Sequence, residues 1–151
     1  MLLLIEIPTL PTLEPKITWT GASGEYFNVD DYTRIKGNIE YLSERISATM
    51  NYVAINSMKT YVVGAIPKYY ELNRVTSNVA KLMNACSGIN YFFEYTQYWS
   101  TMRTLEAGGT AWNYIDLNAI EHNLLIIYDF VESVYATKVK LPTKLGLREV
   151  Y

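Results

Sequence analysis

Two stretches, Phe27-Asn28-Val29-Asp30-Asp31-Tyr32-Thr33-Arg34-Ile35-Lys36-Gly37-Asn38-Ile39 and Trp112-Asn113-Tyr114-Ile115-Asp116-Leu117-Asn118-Ala119-Ile120-Glu121-His122-Asn123-Leu124, align with each other without a gap. Between them, Glu71-Leu72-Asn73-Arg74-Val75-Thr76-Ser77-Asn78-Val79 carries the same core. The shared order is acid, apolar, Asn or Thr, any residue, apolar, two of any kind, Asn, apolar. A fourth, weaker copy runs from Glu94 to Met102, with Thr101 in the Asn place. Internal similarity of this kind points to one structural unit used several times.

Each copy reads as the start of a helix. Asn28 and Asn113 suit the N-cap, where a side-chain oxygen accepts a backbone N–H that has no partner inside the helix. Asp31 and Asp116 fall at the third helical position and complete a capping box. Phe27 and Trp112 precede the caps, while Tyr32 and Leu117 stand at the fourth helical position, the spacing of a hydrophobic staple. The acids also lie at the positive end of the helix dipole.

Beyond these starts the apolar residues recur in steps of three and four. One seam is Tyr32, Ile35, Ile39, Leu42, Ile46, with Met50 and Val53 as continuations. A second is Leu72, Val75, Val79, Leu82, Cys86, and a third is Leu117, Ile120, Leu124, Ile127, Val131, Val134. Phe92, Tyr95, Trp99 and Met102 suggest a further helix. Pro67 fits a first turn, and Gly88 and Gly108-Gly109 fit helix stops. The expectation is a mainly α fold, an antiparallel bundle of about four helices near 29–54, 67–86, 90–106 and 113–136. Asn38, Asn78 and Asn123 each precede a seam residue. Such an Asn either presents a polar contact to a ligand or partner or fixes packing register against a neighbouring helix or loop. The shared frame favours the second.

The ends differ in character. Residues 1–26 hold a strand-like run, Leu2 to Ile7, followed by Pro8, Pro11 and Pro15, and read as an extended arm. Residues 137–151, with Pro142 and Gly146, read as an extended tail with strand potential. The helical domain between them is 27–136. The two ends either pair as a small sheet or lie on a neighbouring subunit.

Length, charge and composition bound the function. A chain of 151 residues with 50% hydrophobic content suits one domain. A formal charge of −2 argues against a nucleic-acid surface, which needs clustered Lys and Arg. A single Cys rules out a disulfide framework and paired-thiolate zinc sites, and a single His leaves little metal or triad chemistry. The first residues lack the basic region of a signal peptide, and no stretch approaches the roughly 20 apolar residues of a membrane span. His122 shares its place with Gly37 and Ser77, so it reads as solvent-facing, and Cys86 reads as a small buried hydrophobe. The loops at Ser23-Gly24 and Gly108-Gly109-Thr110 lack the Lys-Ser/Thr of a P-loop. The acids are accounted for by caps and solvated faces. No enzyme and no cofactor is expected.

Tyrosine, present 14 times against four Phe and three Trp, favours surfaces that are half apolar and half wet. Tyr91, Tyr95, Tyr98 and Trp99 form the candidate interaction surface, which a carbohydrate- or receptor-binding module would also use for stacking.

The stretch Tyr26-Phe27-Asn28 through Asn38-Ile39-Glu40-Tyr41-Leu42, preceded by Trp19-Thr20, resembles tail-associated proteins of bacteriophages and prophages of Gram-positive bacteria. Those proteins share an aromatic-Asn-x-x-Asp start, an Asn-Arg-Ile-like core and Asn-Ile-x-Tyr-Leu. Here Thr33-Arg34-Ile35 departs from the usual Asn, while Leu72-Asn73-Arg74-Val75 keeps it. The resemblance spans mainly residues 19–45 and 67–80 and carries no catalytic signature. It implies a virion structural protein of the tail, baseplate or fibre-attachment region, made in the host cytoplasm and present in several copies or as a homo-oligomer beside other tail proteins. The alternatives are the binding module above and an intracellular tail-assembly chaperone.

Overall fold

In the computed structural model of the protein, residues 19–21, 26–87 and 98–145 are described, with side chains to residue 136. Three helices dominate them: α1 Val29–Thr49, α2 Tyr69–Cys86 and α3 Tyr114–Leu145. Each packs against the other two, and no strand occurs among the described residues.

The helix starts follow local chemistry. At α1 the Asn28 carboxamide accepts the Asp31 N–H at 3.0 Å, and the Asp31 carboxylate accepts the Asn28 N–H at 3.2 Å. At α3 Asn113 Oδ1 accepts from Ile115 and Asp116 at 2.9 and 3.1 Å, and Asp116 accepts the Asn113 N–H at 2.9 Å. α2 has half of this device: Glu71 accepts the Lys68 N–H at 3.0 Å, while lysine has no acceptor to return. The seams converge on one core in which Ile39, Leu42, Ile46, Val75, Val79, Leu82, Leu124, Ile127, Phe130 and Val131 are fully buried. Removing such side chains from water supplies about 1.5–3 kcal/mol each.

The helices run parallel, contrary to the antiparallel expectation. Arg34, six residues past the α1 cap, pairs with Glu121, eight past the α3 cap. One rung further, Arg45 and Glu132 stand 17 and 19 residues past the same caps and pair through two hydrogen bonds of 3.1 and 3.2 Å. Equal depth from the two starts is possible only if both helices point the same way. α2 follows suit. Asn51, just past the end of α1, donates to the Ala85 carbonyl near the end of α2 at 3.2 Å, and Tyr61, just before α2, meets Tyr32 of α1 edge-on at 5.0 Å.

Parallel neighbours require the chain to travel back the full length of the bundle between helices. Residues 51–68 and 98–113 do this without helix. The helix expected over 90–106 is therefore corrected over its described part, 98–106. Residues 98–106 are non-helical, and 90–97 lie outside the described residues. The apolar spacing within 98–106 serves a non-helical chain lying on the core, with Leu105 buried and Trp99 and Met102 packed at its edge.

What holds these return segments is a set of asparagine clamps. The Asn78 carboxamide accepts the Asn56 N–H and donates to the Asn56 carbonyl, both at 2.8 Å. Asn123 does the same to Ser100, both at 2.8 Å. Asn73 grips Leu105 at 2.8 and 2.8 Å, and Asn118 grips Trp19 at 3.1 and 2.8 Å. Each carboxamide thus imitates a neighbouring strand, satisfying one residue's donor and acceptor together. This is the register-fixing reading of Asn78 and Asn123.

Two boundaries also move. α1 ends at Thr49 rather than near 54, because Ser47 Oγ accepts the Val53 N–H at 3.1 Å and the Ser43 hydroxyl faces the Val53 carbonyl at 3.5 Å, so Val53 is spoken for by side chains. α3 continues to Leu145, so residues 137–145 are helical rather than an extended tail. The extended reading of 146–151, and that of 1–18, lies outside the described residues, as does any pairing between the two ends.

Replacing Asn78 or Asn123 by Ala leaves the part-buried N–H and carbonyl of Asn56 or Ser100 without that partner, at up to about 1–3 kcal/mol each. We expect either variant to lose about 2–4 kcal/mol in urea unfolding, whereas Asn84→Ala, exposed on α2, should stay within about 0.5 kcal/mol.

Candidate functional site

The parallel arrangement gathers all three helix starts at one end, and this end is apolar. Ten large hydrophobic side chains are exposed among the described residues. Eight of them belong to this end: Tyr26 before the α1 cap, Val62, Val63 and Ile66 in the turn before α2, Tyr69 and Tyr70 in its first turn, and Tyr114 and Ile115 in that of α3. Val63 and Ile66 are 91% and 87% exposed, values that a folded chain does not give to aliphatic residues serving its own core.

Between these groups runs a groove of about 660 Å³, lined by Phe27, Asn28, Tyr32, Tyr61, Val63, Ile66, Leu72 and Trp112. Its floor is aromatic. Phe27 meets Trp112 edge-on at 5.6 Å and Trp19 at 6.5 Å, so the two residues that precede their caps contact each other across neighbouring helices. Trp19 is buried and its indole N–H donates to Glu121 Oε2 at 2.9 Å.

Glu121 is the residue that sequence reasoning missed. It is 1% exposed and pairs with Arg34, while Arg34 also stands 3.5 Å from Asp31. The corresponding places in the other helices hold Lys36 and Thr76, so nothing in the pattern marks it as buried. A chain that buries this carboxylate must pair it, and Arg34 lies at the matching depth.

The rim is fixed by charge. Arg103 donates to both Asp116 oxygens at 3.2 and 2.7 Å and to the Ala111 carbonyl at 2.9 Å, which ties the last return segment to the start of α3. Burial alone would raise the Asp116 carboxyl. The Arg103 and Asn113 hydrogen bonds and the Arg103 charge outweigh it and hold the group below its ordinary value. The chain then enters the turn at Gly108, whose φ of +74° favours glycine.

Of the other expected residues, Asn28, Asp31, Asn113 and Asp116 form the two caps, and Phe27 and Trp112 form the aromatic floor. Tyr98 is exposed, Trp99 is half-buried against the core, and Tyr91 and Tyr95 lie outside the described residues. The four therefore do not stand together as one described surface. His122 is partly exposed, and its Nε2–H donates to the Tyr98 carbonyl at 3.0 Å. Cys86 is fully buried, and desolvation pushes its thiol up to about 12, which leaves little thiolate at neutral pH. Among the described residues no group of three or more His, Cys, Asp or Glu is placed to hold a metal ion, and no helix is long and apolar enough to cross a membrane.

No family model matches the chain, and no curated protein or solved structure is significantly similar to it.

Two outcomes follow from the charges. Because the folded Asp116 carboxyl sits below its unfolded value of about 4, its contribution is complete above that value and is lost as pH falls through the folded one. Asp116→Asn should therefore flatten the acid limb of a stability–pH curve, and an unchanged limb would remove this role. Arg34→Met strands the buried Glu121 charge and should cost about 3–5 kcal/mol, much of it recovered in Arg34→Met/Glu121→Leu.

Proposed function

We propose that the protein is a non-enzymatic structural component that works by protein–protein contact, in the tail, baseplate or fibre-attachment region of a phage or phage-tail-like particle. The observation that carries the contact role is the apolar end of the bundle, where eight hydrophobic side chains are exposed and two of them, Val63 and Ile66, line a groove. Exposed aliphatic surface of this kind marks interaction sites in folded proteins. The tail assignment rests on the resemblance of residues 19–45 and 67–80, and the parallel body gives such a component a stiff spacer.

The reading also takes the chain as three copies of one unit, an extended segment followed by a capped helix. Ser57-Met58-Lys59-Thr60-Tyr61 and Thr101-Met102-Arg103-Thr104-Leu105 are alike in sequence, and both precede capped helices carrying two asparagines five residues apart. A partner docked on the helix starts would meet three related elements at once.

Mass spectrometry of purified tail particles should detect the protein in stoichiometric amount. Absence from intact particles, with presence in the producing cell, would instead support the assembly-chaperone role. Val63→Asp/Ile66→Asp should leave the unfolding free energy within about 0.5 kcal/mol, since both side chains are exposed, yet reduce incorporation into particles at least about tenfold. Normal incorporation of this variant would remove the apolar end as the contact.

A further inference from the structure

At two of the three helix starts the residue before the cap is aromatic. Phe27 and Trp112 precede Asn28 and Asn113, and their rings meet edge-on at 5.6 Å. Before the third cap, Lys68, stands Pro67, whose small saturated ring adds no third aromatic group to the pair. All three residues line the groove of about 660 Å³. Tyr32 and Leu72, at the fourth helical position of α1 and α2, line it as well. The groove therefore opens at the start whose aromatic ring is missing.

The turn before α2 does not fill the gap. The Ala65 N–H donates to the Val62 carbonyl at 3.1 Å, and Gly64, with a φ of +89°, completes the turn. This leaves Val63 and Ile66 at the rim, 91% and 87% exposed. Asp30, itself exposed, is the only charged residue among the described ones that line the groove. A charged occupant would lose its water against such a wall, whereas an apolar one gains by entering.

We propose that the groove receives one aromatic side chain from the partner protein that docks on this end, completing the set of rings that Pro67 leaves short. This rests on the apolar end being a protein contact, and it names the anchor that the partner must carry. Aromatic residues seated in pockets dominate the binding energy of many interfaces. A ring beside Phe27 and Trp112 gains edge-to-face contact in addition to burial, and an aliphatic side chain gains burial alone. A second copy offers its exposed tyrosines at this same end, so docking it would bring like helix ends face to face. The ring therefore comes from a different protein.

The test uses the ¹⁵N-labelled full-length protein and two water-soluble probes of similar size, phenol and cyclohexanol. The Trp112 indole N–H has no acceptor among the described residues and serves as the reporter. Phenol should move its signal with a Kd of about 1 mM. The signal of Trp99, packed against the core in the segment before α3, should stay in place. Cyclohexanol should bind about fivefold more weakly. Pro67→Phe supplies the ring from within the chain, and both phenol binding and incorporation into tail particles should fall at least about tenfold. Pro67→Ala adds no ring and should keep phenol binding. If Pro67→Phe does not fold, Ala111→Phe brings a ring from an exposed lining residue and should have the same two effects.

A Trp112 signal that phenol does not move overturns the proposal, as does equal binding of cyclohexanol or phenol binding that survives the added ring. A phenol-sensitive dimer in sedimentation would make a second copy the donor of the ring and overturn its assignment to a different protein. If Val63→Asp/Ile66→Asp blocks incorporation and Pro67→Phe does not, the apolar end stands as the contact and the aromatic anchor falls. If both variants incorporate normally, the contact itself falls and the anchor with it.

Discussion

The structure depends on a side chain that behaves like a piece of backbone. A carboxamide offers one donor and one acceptor at the spacing of a peptide group, so an asparagine on a helix can pair with one residue of an extended chain as a strand would. Four asparagines do so here, at 2.8–3.1 Å. Without them the return segments would carry part-buried donors and acceptors with no sheet to receive them, and the cost of several such orphans is a sizeable fraction of the stability of a domain this size.

Parallel packing is the consequence. Most short-loop helical chains fold antiparallel because a tight turn returns the next helix alongside the last. Here the extended segments carry the chain back and are held while doing so. Parallel helices then place their dipoles side by side, with all the positive ends together, and the acids Asp30, Asp31, Glu71 and Asp116 stand at that end. The same geometry puts Arg34 opposite Glu121 and Arg45 opposite Glu132, and it collects the residues of every helix start into one face. The apolar end is thus not a separate device but a result of the topology.

Much of the helical framework was legible in the sequence. The capping boxes at Asn28–Asp31 and Asn113–Asp116 and the seams through Ile39, Val79 and Leu124 depend on neighbours within a turn or two, and local pattern reports these well. Helix was expected over 98–106 because Trp99, Met102 and Leu105 are apolar at helical spacing, while the decision against helix there is made by Asn73 and Asn123, remote in sequence. Helix direction was not legible either, since an amphipathic stripe is the same read from either end. Glu121 looked like any surface acid because its burial is set by Arg34 and Trp19, both on other parts of the chain. The exposure of Val62, Val63 and Ile66 went unread for a related reason, since it follows from a turn that no short motif announces.

The clamped return segments and the apolar end both require that the helices point the same way. Pairs of nitroxide labels on exposed positions, read by pulsed electron paramagnetic resonance, measure it directly: Asp30 with Ile115 at the two helix starts, and Asp30 with Asp129, fourteen residues further along α3. At 1.5 Å rise per residue the second label is displaced by about 21 Å along the axis. Parallel helices give a short start-to-start distance and a clearly longer one to Asp129. The reverse order would mean antiparallel helices, and the clamped return segments could not then exist as described.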